Sequence, residues 1–500
     1  MSLAKLYSRA IRGMQAPEVV VEVHVAGGLP AFSIVGLPDT EVKESRDRVR
    51  SAISMSGFDF PARRITVNLA PADLPKESGR YDLPIALGVL IASAMIKPEL
   101  DYSQFEFAGE LALDGALRKI HGALAMAYNA KESKRSFILP ADNAVEASYV
   151  DNLDVYKASS LNEVVAHLCG ENPLSLEIHE KMPDDWLSGI NLDFNQVKGQ
   201  ISVKTALEVA AAGRHSLLMV GNPGCGKSML SERLITILPG LTNAQALENA
   251  SIHSLTKNEV SLANWGKIPF RHPHHSSSAV AMVGGGSNPK PGEISLAHNG
   301  VLFMDEIPEF DRKVLEVLRE PLETKKVSIS RANYKVEYPA DFQLIAAMNP
   351  CPCGNRGHPQ SLCKCSTEQI ARYQSKISAP LLDRIDLVVQ MPHLKPEELH
   401  NMPAGENSEI IRNRVLKARE FQLKRQNKLN YAMNNDEIEA FCPTEPKALD
   451  LLKSASGRLG LSARAYYRVL KVARSIADLA GSEVINVPHI AQSIQYRYIF

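Results

Sequence analysis

The stretch Gly221-Asn222-Pro223-Gly224-Cys225-Gly226-Lys227-Ser228 decides how the chain is read. It follows the apolar run Ser216-Leu217-Leu218-Met219-Val220 and precedes Met229-Leu230-Ser231-Glu232-Arg233-Leu234, which has helical spacing. A buried strand, a glycine loop and a helix start are the context that a phosphate-binding loop of the G-x-x-x-x-G-K-[ST] kind requires. The glycines let successive backbone N–H groups turn inward, and the helix N-terminus adds partial positive charge. Lys227 can then reach the β and γ phosphates, and the Ser228 hydroxyl can ligate Mg²⁺. The expected cofactors are ATP and Mg²⁺, held by Gly221 to Ser228.

Downstream, Gly300-Val301-Leu302-Phe303-Met304-Asp305-Glu306 is an apolar strand ending in two carboxylates. Asp305 is expected to hold Mg²⁺ through water, and Glu306 to orient and deprotonate the attacking water. A second apolar strand, Phe342 to Ala347, ends at Met348-Asn349-Pro350. Asp193-Phe194-Asn195-Gln196-Val197-Lys198-Gly199-Gln200 leads into a helix over Ile201 to Ala212. Ser378-Ala379-Pro380-Leu381-Leu382-Asp383-Arg384-Ile385-Asp386 closes this core, and Leu461-Ser462-Ala463-Arg464 opens a later helix. Together these segments resemble the AAA+ ATPases. The resemblance implies places beside the adenine base for Val197 and Gly199, a sensor-1 role for Asn349, an arginine finger at Arg384 and a sensor-2 arginine at Arg464. Arg384 has a bland alternative, a local salt bridge to Asp383 or Asp386. A finger, by contrast, puts the active site between subunits and requires an oligomer.

The 500 residues suggest about three domains. With 45% hydrophobic and 22% charged residues and a formal net charge of +0, the composition is that of a globular protein without a general basic coat. A nucleic-acid binder of this balance must concentrate positive charge locally, as in a channel. No apolar run approaches the roughly 20 residues that cross a bilayer. Met1 to Met14 lacks the apolar segment of a secretory signal, so no membrane partner is expected and the cytoplasm is the default. Seven cysteines, four of them clustered, fit a reducing compartment and a metal site better than a disulfide framework.

The expected fold class is α/β, in four stretches: an N-terminal α/β domain over 1–170, a linker over 171–192, an ATPase core with a parallel sheet over 193–392, and a helical lid over 393–500. In the first, Val19 to Val25 reads as a strand with Phe32 to Val35 as its partner across Gly27-Gly28. Thr40 to Met55 has helical spacing, Arg64 to Leu69 alternates like a strand, and Tyr81 to Ala94 reads as an apolar helix. Gly109-Glu110-Leu111, Leu117 to Gly122 and Phe137 to Asn143 resemble the proteolytic domain of Lon. That chemistry needs a serine beside a lysine. The serine position falls on Tyr81 or Asp82, with Ser78 on the loop before it, and the lysine position falls near Met126. Both dyad members are missing, which reads as an inactive scaffold. Lys76 and Arg80 are open between a solvated loop and a functional contact.

Two insertions set the core apart. Phe270-Arg271-His272-Pro273-His274-His275 and the Gly284-Gly285-Gly286 run lie between the loop and the carboxylate strand, the histidines lacking helical i, i+4 metal spacing. Lys325 to Val336 reads as a β-hairpin turning near Ala332-Asn333. Together they resemble the helix-2 insert and presensor-1 hairpin of the magnesium chelatase and minichromosome maintenance clade. The resemblance implies a hexamer whose pore presents Arg331, Lys335 and Lys325 to DNA, the electrostatic funnel a single-strand translocase uses. Solvated hairpin charge is the alternative. Cys351, Cys353, Cys363 and Cys365 follow Asn349 in a C-x-C-x9-C-x-C pattern that can close a tetrahedral Zn²⁺ site, with His358 as a substitute ligand and four free thiols as the alternative.

Gly36 to Thr40, Asn68 to Lys76 and Pro291 to Glu306 carry an end-to-end resemblance to the ComM/YifB family of magnesium chelatase-like proteins. The resemblance implies an ATP-driven hexameric helicase that promotes branch migration of recombination intermediates in natural transformation. It also implies single-stranded and branched DNA, and other recombination proteins, as partners. Cys225 departs from the usual loop and is expected to point away from the phosphates. Rival classes are a metal-chelatase motor, an ATP-dependent protease and a protein-remodelling ATPase.

Overall fold

Alternating burial organises the N-terminal strands. Val19, Val21 and Val23 are fully buried while their neighbours are not, as a strand with one face on a core requires. The computed structural model describes residues 3–178, 186–256, 265–286, 289–331, 334–359, 361–394 and 402–497. Contacts divide the chain into two compact units. The first comprises Met1–Pro183, Asn243–Trp265 and Ala332–Tyr338; the second comprises Asp184–Thr242, Gly266–Arg331 and Pro339–Phe500. Two short segments within the expected ATPase stretch therefore group with the N-terminal unit. Part of the expected linker, 179–185, lies outside the described residues, as does the turn at Ala332-Asn333.

In the first unit the strands are β1 (Leu3–Arg9), β2 (Glu18–Ala26), β3 (Ala31–Val35), β4 (Arg64–Ala70), β5 (Phe105–Phe107), β6 (Glu110–Leu111), β7 (Leu117–Arg118), β8 (Ser136–Pro140) and β9 (Val155–Ala158). Seven of them form one mixed sheet in the order β3-β4-β2-β1-β5-β8-β9. The expected β2–β3 hairpin does not form. Instead β3 pairs with β4 in parallel, and β2 pairs with β4 antiparallel. A parallel pair needs a crossover, which the helix Thr40–Met55, capped by Asp39, supplies. The helix Asp82–Ala92 is buried along its whole length. It packs so tightly on the sheet that a Cβ on Gly88 would lie 2.4 Å from Val23 Cγ2.

The second unit is built on β10 (Leu217–Gly221), β11 (Phe270–Arg271), β14 (Val301–Met304), β17 (Gln343–Met348) and β18 (Leu387–Met391). These pair in parallel in the order β11-β14-β17-β10-β18. Every residue of β10, β14 and β17 is buried, which suits strands covered on both faces. Small two-stranded sheets join β12 (Gly284–Gly285) to β13 (Lys290–Pro291) and β15 (Lys326–Arg331) to β16 (Tyr334–Pro339). The C-terminal part is helical: Ser408–Gln426, Asn435–Phe441, Pro446–Leu459, Ala463–Leu479 and Val487–Gln495. Among the described residues no helix is long and apolar enough to cross a membrane.

Candidate functional site

The sheet order places three strand ends side by side. From β10 the chain runs to β11, β14 and β17 on one side, and then crosses to β18 on the other, so the strand order reverses at β10, and in open α/β sheets ligands bind outside the carboxyl ends at such a point. Gly221 ends β10, Asp305 follows β14 and Asn349 follows β17. Gly224 and Gly226 have φ of +76° and +95°, and a Cβ on either would meet nothing within 4 Å. The glycines serve backbone conformation, and the loop faces open space.

The side chains at these strand ends interlock. Ser228 Oγ donates to Asp305 Oδ2 at 2.6 Å, and the Asp305 Oδ1 accepts the Glu306 N–H at 2.9 Å. Lys227 is buried, and its ammonium donates to the Gly221 carbonyl at 2.7 Å, the Asn222 carbonyl at 3.0 Å and Asn349 Oδ1 at 3.1 Å. Uncharged oxygens hold this cation, so its charge is available to a phosphate. The Ser228 hydroxyl beside a carboxylate is the hard oxygen donor pair that Mg²⁺ takes. Glu306 is half-exposed at φ +50°, with His275 Nδ1 3.8 Å from its carboxylate. The histidine run does not gather into a ligand set: His272 lies on Phe303, and His274 packs on His275.

A cavity of about 420 Å³ opens beside the loop, lined by Val197, Gly224, Gly226, Met229, His393 and Leu394 among others. Its size is within the range of small-molecule sites. Val197 is one of its walls. Gly199 has φ +64°, and a Cβ there would come within 2.7 Å of Leu394 and 2.9 Å of Met402. Met229, His393 and Leu394 carried no sequence signal, because apolar and histidine side chains become cavity walls only when distant segments meet. Cys225 turns toward Met391, with its Sγ 3.8 Å from Sδ, and burial raises its thiol pKa.

The two arginines are not apart. Arg384 Nη2 lies 2.7 Å and Arg464 Nη2 3.2 Å from the same oxygen, Glu323 Oε1. The aspartates proposed as salt-bridge partners are committed elsewhere. Asp383 pairs with Arg497, and Asp386 pairs with Arg468 and accepts from Ser216. Asp386 is desolvated, which would raise its pKa, but Arg468 and the hydrogen bonds outweigh this and hold it well below the carboxylate range.

Lys325 departs from its expected place on the hairpin. It caps the helix Arg319–Thr324 at φ +61°, 3.4 Å from Asp341 and 4.7 Å from the Tyr431 ring centre. Desolvation lowers its pKa, and Arg214 shares Asp341 at 2.9 Å. The charge is spent inside the second unit. Lys335 is exposed on β16. Arg331 ends β15, and its side chain lies outside the described residues.

The four cysteine sulfurs lie within 4.8 Å of one another, with pairs at 3.4, 3.6 and 3.7 Å. Tetrahedral Zn–S bonds of about 2.3 Å would place sulfurs about 3.8 Å apart, so the set fits zinc. Backbone hydrogen bonds from Asn355 and Lys364 draw the Cys353 thiol down to about 6. Burial raises Cys351, and, against a backbone hydrogen bond from Cys353, desolvation with the neighbouring thiols pushes Cys365 up to about 12, so the geometry and not the titration carries the zinc reading. His358 is not in this group; it accepts the Ser361 N–H at 3.0 Å and packs on His393. The cysteine loop touches the nucleotide loop, since Asn222 Nδ2 donates to the carbonyls of Gly354 at 2.5 Å and Arg356 at 3.3 Å.

In the first unit the Lon-type positions hold other chemistry. Tyr81 donates to the Arg9 carbonyl, and Asp82 accepts from Arg48 at 2.7 Å. Ser78 Oγ accepts from Arg80 Nε at 2.8 Å, and Arg80 Nη1 points at Met126 Sδ at 3.3 Å. Neither Lys76 nor Arg80 is a solvated loop charge: Lys76 is fully buried with its amine on the Pro71 carbonyl, and Arg80 is 6% exposed.

The parallel five-stranded sheet, the loop and the helical C-terminal part define a magnesium chelatase-like AAA+ protein. Residues 193–399 match the family described as magnesium chelatase, subunit ChlI; residues 21–143 match subunit ChlI of Mg-chelatase; and residues 405–497 match the ChlI C-terminal family. The chain is 50% identical to Competence protein ComM of Haemophilus influenzae, over 99% of this chain and 98% of the relative. It is 47% identical to the uncharacterized protein YifB of Escherichia coli K12, over 100% and 98%. It is 22% identical to an uncharacterized MCM-type protein of Methanocaldococcus jannaschii, over 73% of this chain and 47% of the relative. The chain belongs to the ComM/YifB family.

Proposed function

We propose that the chain is an ATP hydrolase that works as a ring, expected to be a hexamer, and moves on single-stranded and branched DNA to extend recombination joints during competence. The observation that carries the motor is the convergence of Lys227, Ser228, Asp305 and Asn349 through hydrogen bonds of 2.6 to 3.1 Å. Bound ATP and Mg²⁺ would supply the phosphoanhydride and the cation that offsets charge on its oxygens. Lys227 binds the terminal phosphates, Ser228 and Asp305 hold the cation, and Asn349 and Glu306 orient the attacking water. Val197 and the cavity walls take the base. Arg384 completes the site of an adjacent copy; Arg464, whose sensor-2 role fits its own or an adjacent site, is assigned with it to the adjacent one because both meet Glu323.

DNA as the load draws on the competence named in the closely similar relative and on Lys335 and Arg331 of the hairpin. The first unit is assigned a scaffold role without peptidase activity, and the helical part over 393–500 the role of a lid. A structural zinc is assigned to the four cysteines, and the cytoplasm is the site of action. The test is ATP-dependent unwinding of a forked or three-stranded substrate by the wild type, Lys227→Ala and Arg331→Ala. Lys227→Ala should abolish turnover and unwinding together. Arg331→Ala should retain ATP turnover and lose unwinding; normal unwinding by Arg331→Ala would remove the hairpin assignment. A motor whose ATP turnover ignores DNA would favour remodelling of a protein.

A further inference from the structure

Glu323 is an acidic residue on which two arginines of separate elements converge. Arg384 follows the short helix Ala379–Leu382, Arg464 opens the helix Ala463–Leu479, and Glu323 lies in the helix Arg319–Thr324. One oxygen, Glu323 Oε1, receives both guanidinium groups, at 2.7 and 3.2 Å. Two donors converging on a single anionic oxygen are the geometry a phosphate oxygen would require. Arg384 is only 10% exposed, donates a second bond to the Pro380 carbonyl at 2.6 Å, and keeps its buried Nε without a hydrogen-bond partner among the described residues. The arginine is under-satisfied. Arg464 and Glu323 are about half-exposed, so the contact opens to solvent on one side.

We propose that Glu323 is a positioning residue: an internal carboxylate that pairs Arg384 with Arg464 and stands in for the phosphate oxygen the two arginines are to grip. It rests on their assignment to the nucleotide of an adjacent copy. While Glu323 holds them, the pair is pre-formed but occupied, and nucleotide phosphate must displace the carboxylate. Removing the charge at constant size lifts that competition. Glu323→Gln should therefore lower KM for ATP by about two- to fivefold, the range of a partly exposed ion pair, with kcat kept within about twofold. Glu323→Asp, which keeps the charge, should return KM toward the wild-type value.

The experiment is steady-state ATP turnover by the assembled full-length protein for the wild type, Glu323→Gln, Glu323→Asp, Arg384→Ala and Arg464→Ala, with thermal unfolding as a check on folding. A Glu323→Gln protein with raised KM and reduced kcat, matching Arg384→Ala, would make Glu323 a simple prop and overturn the proposal; so would an unchanged KM. Normal turnover by both Arg384→Ala and Arg464→Ala would instead overturn the assignment of the arginines to an adjacent site.

Discussion

Lys76 and Lys227 are both buried lysines that donate to backbone carbonyls at the end of an inner strand, yet only Lys227 belongs to the proposed nucleotide site. In the first unit Lys76 is sealed on the Pro71 carbonyl, and Arg80 beside it is spent on Ser78 and Met126. Burial pushes the pKa of both cations down, because desolvation outweighs the pull of Asp73 on Lys76 and of Glu77, Asp39 and Glu41 on Arg80. In the second unit Lys227 meets an open loop, an amide oxygen from the neighbouring strand and, through Ser228, a carboxylate. A buried cation alone does no chemistry. What differs is free volume in front of it and strand ends that bring acceptors and carboxylates to the same edge.

Lys227→Ala should break the active half of this comparison most severely. We expect ATP turnover to fall by at least about a hundredfold, as when a preorganised donor to developing charge is lost, with the unfolding temperature little changed. Asp386→Asn tests whether the second unit depends on a matched buried ion, and should cost about 3 kcal/mol by leaving Arg468 uncompensated. The Asp386 pKa is lowered on folding, so its contribution is fully present above the unfolded value near 4 and is lost as pH falls toward the folded value. The wild-type advantage over Asp386→Asn, read by denaturant unfolding, should therefore shrink only in strong acid.

Cys363→Ser should lower zinc content in elemental analysis and reduce ATP turnover several-fold. The cysteine loop supplies the carbonyls that fix Asn222, so its loosening reaches the nucleotide loop. Arg80→Met is the smallest expected effect and the sharpest check on the inert half. Replacing a buried, unpaired cation by a long apolar side chain should shift stability by no more than about 1 kcal/mol and leave ATP turnover unchanged. A large loss of turnover would show that the first unit takes part in the chemistry.

Much of the second unit was legible because its signals are local. Glycines at fixed offsets, apolar strands and carboxylates at strand ends can be read without knowing what packs against what. The strand Leu3–Arg9 was missed, since exposed Leu3 and buried Ser8 and Arg9 break its alternation, and the Arg9 charge is matched by Glu106 across the sheet, at 2.6 Å. The β3 pairing was misread because Gly27-Gly28 permits a turn but does not choose a partner. Lys325 looked like hairpin charge because its partners, Asp341 and Tyr431, come from distant segments.

The sequence by itself determined that a phosphate-binding loop, two carboxylates, an asparagine and four cysteines are present, since each depends on residue type at short spacing. Only the tertiary structure decided which charges stay open and which are consumed inside the fold. Lys325 was paired with Asp341, Arg80 was turned onto a sulfur, and Arg384 and Arg464 were brought to one carboxylate. Ion pairing and burial act through distances of a few ångströms between residues far apart in the chain, and those distances exist only once the chain has folded.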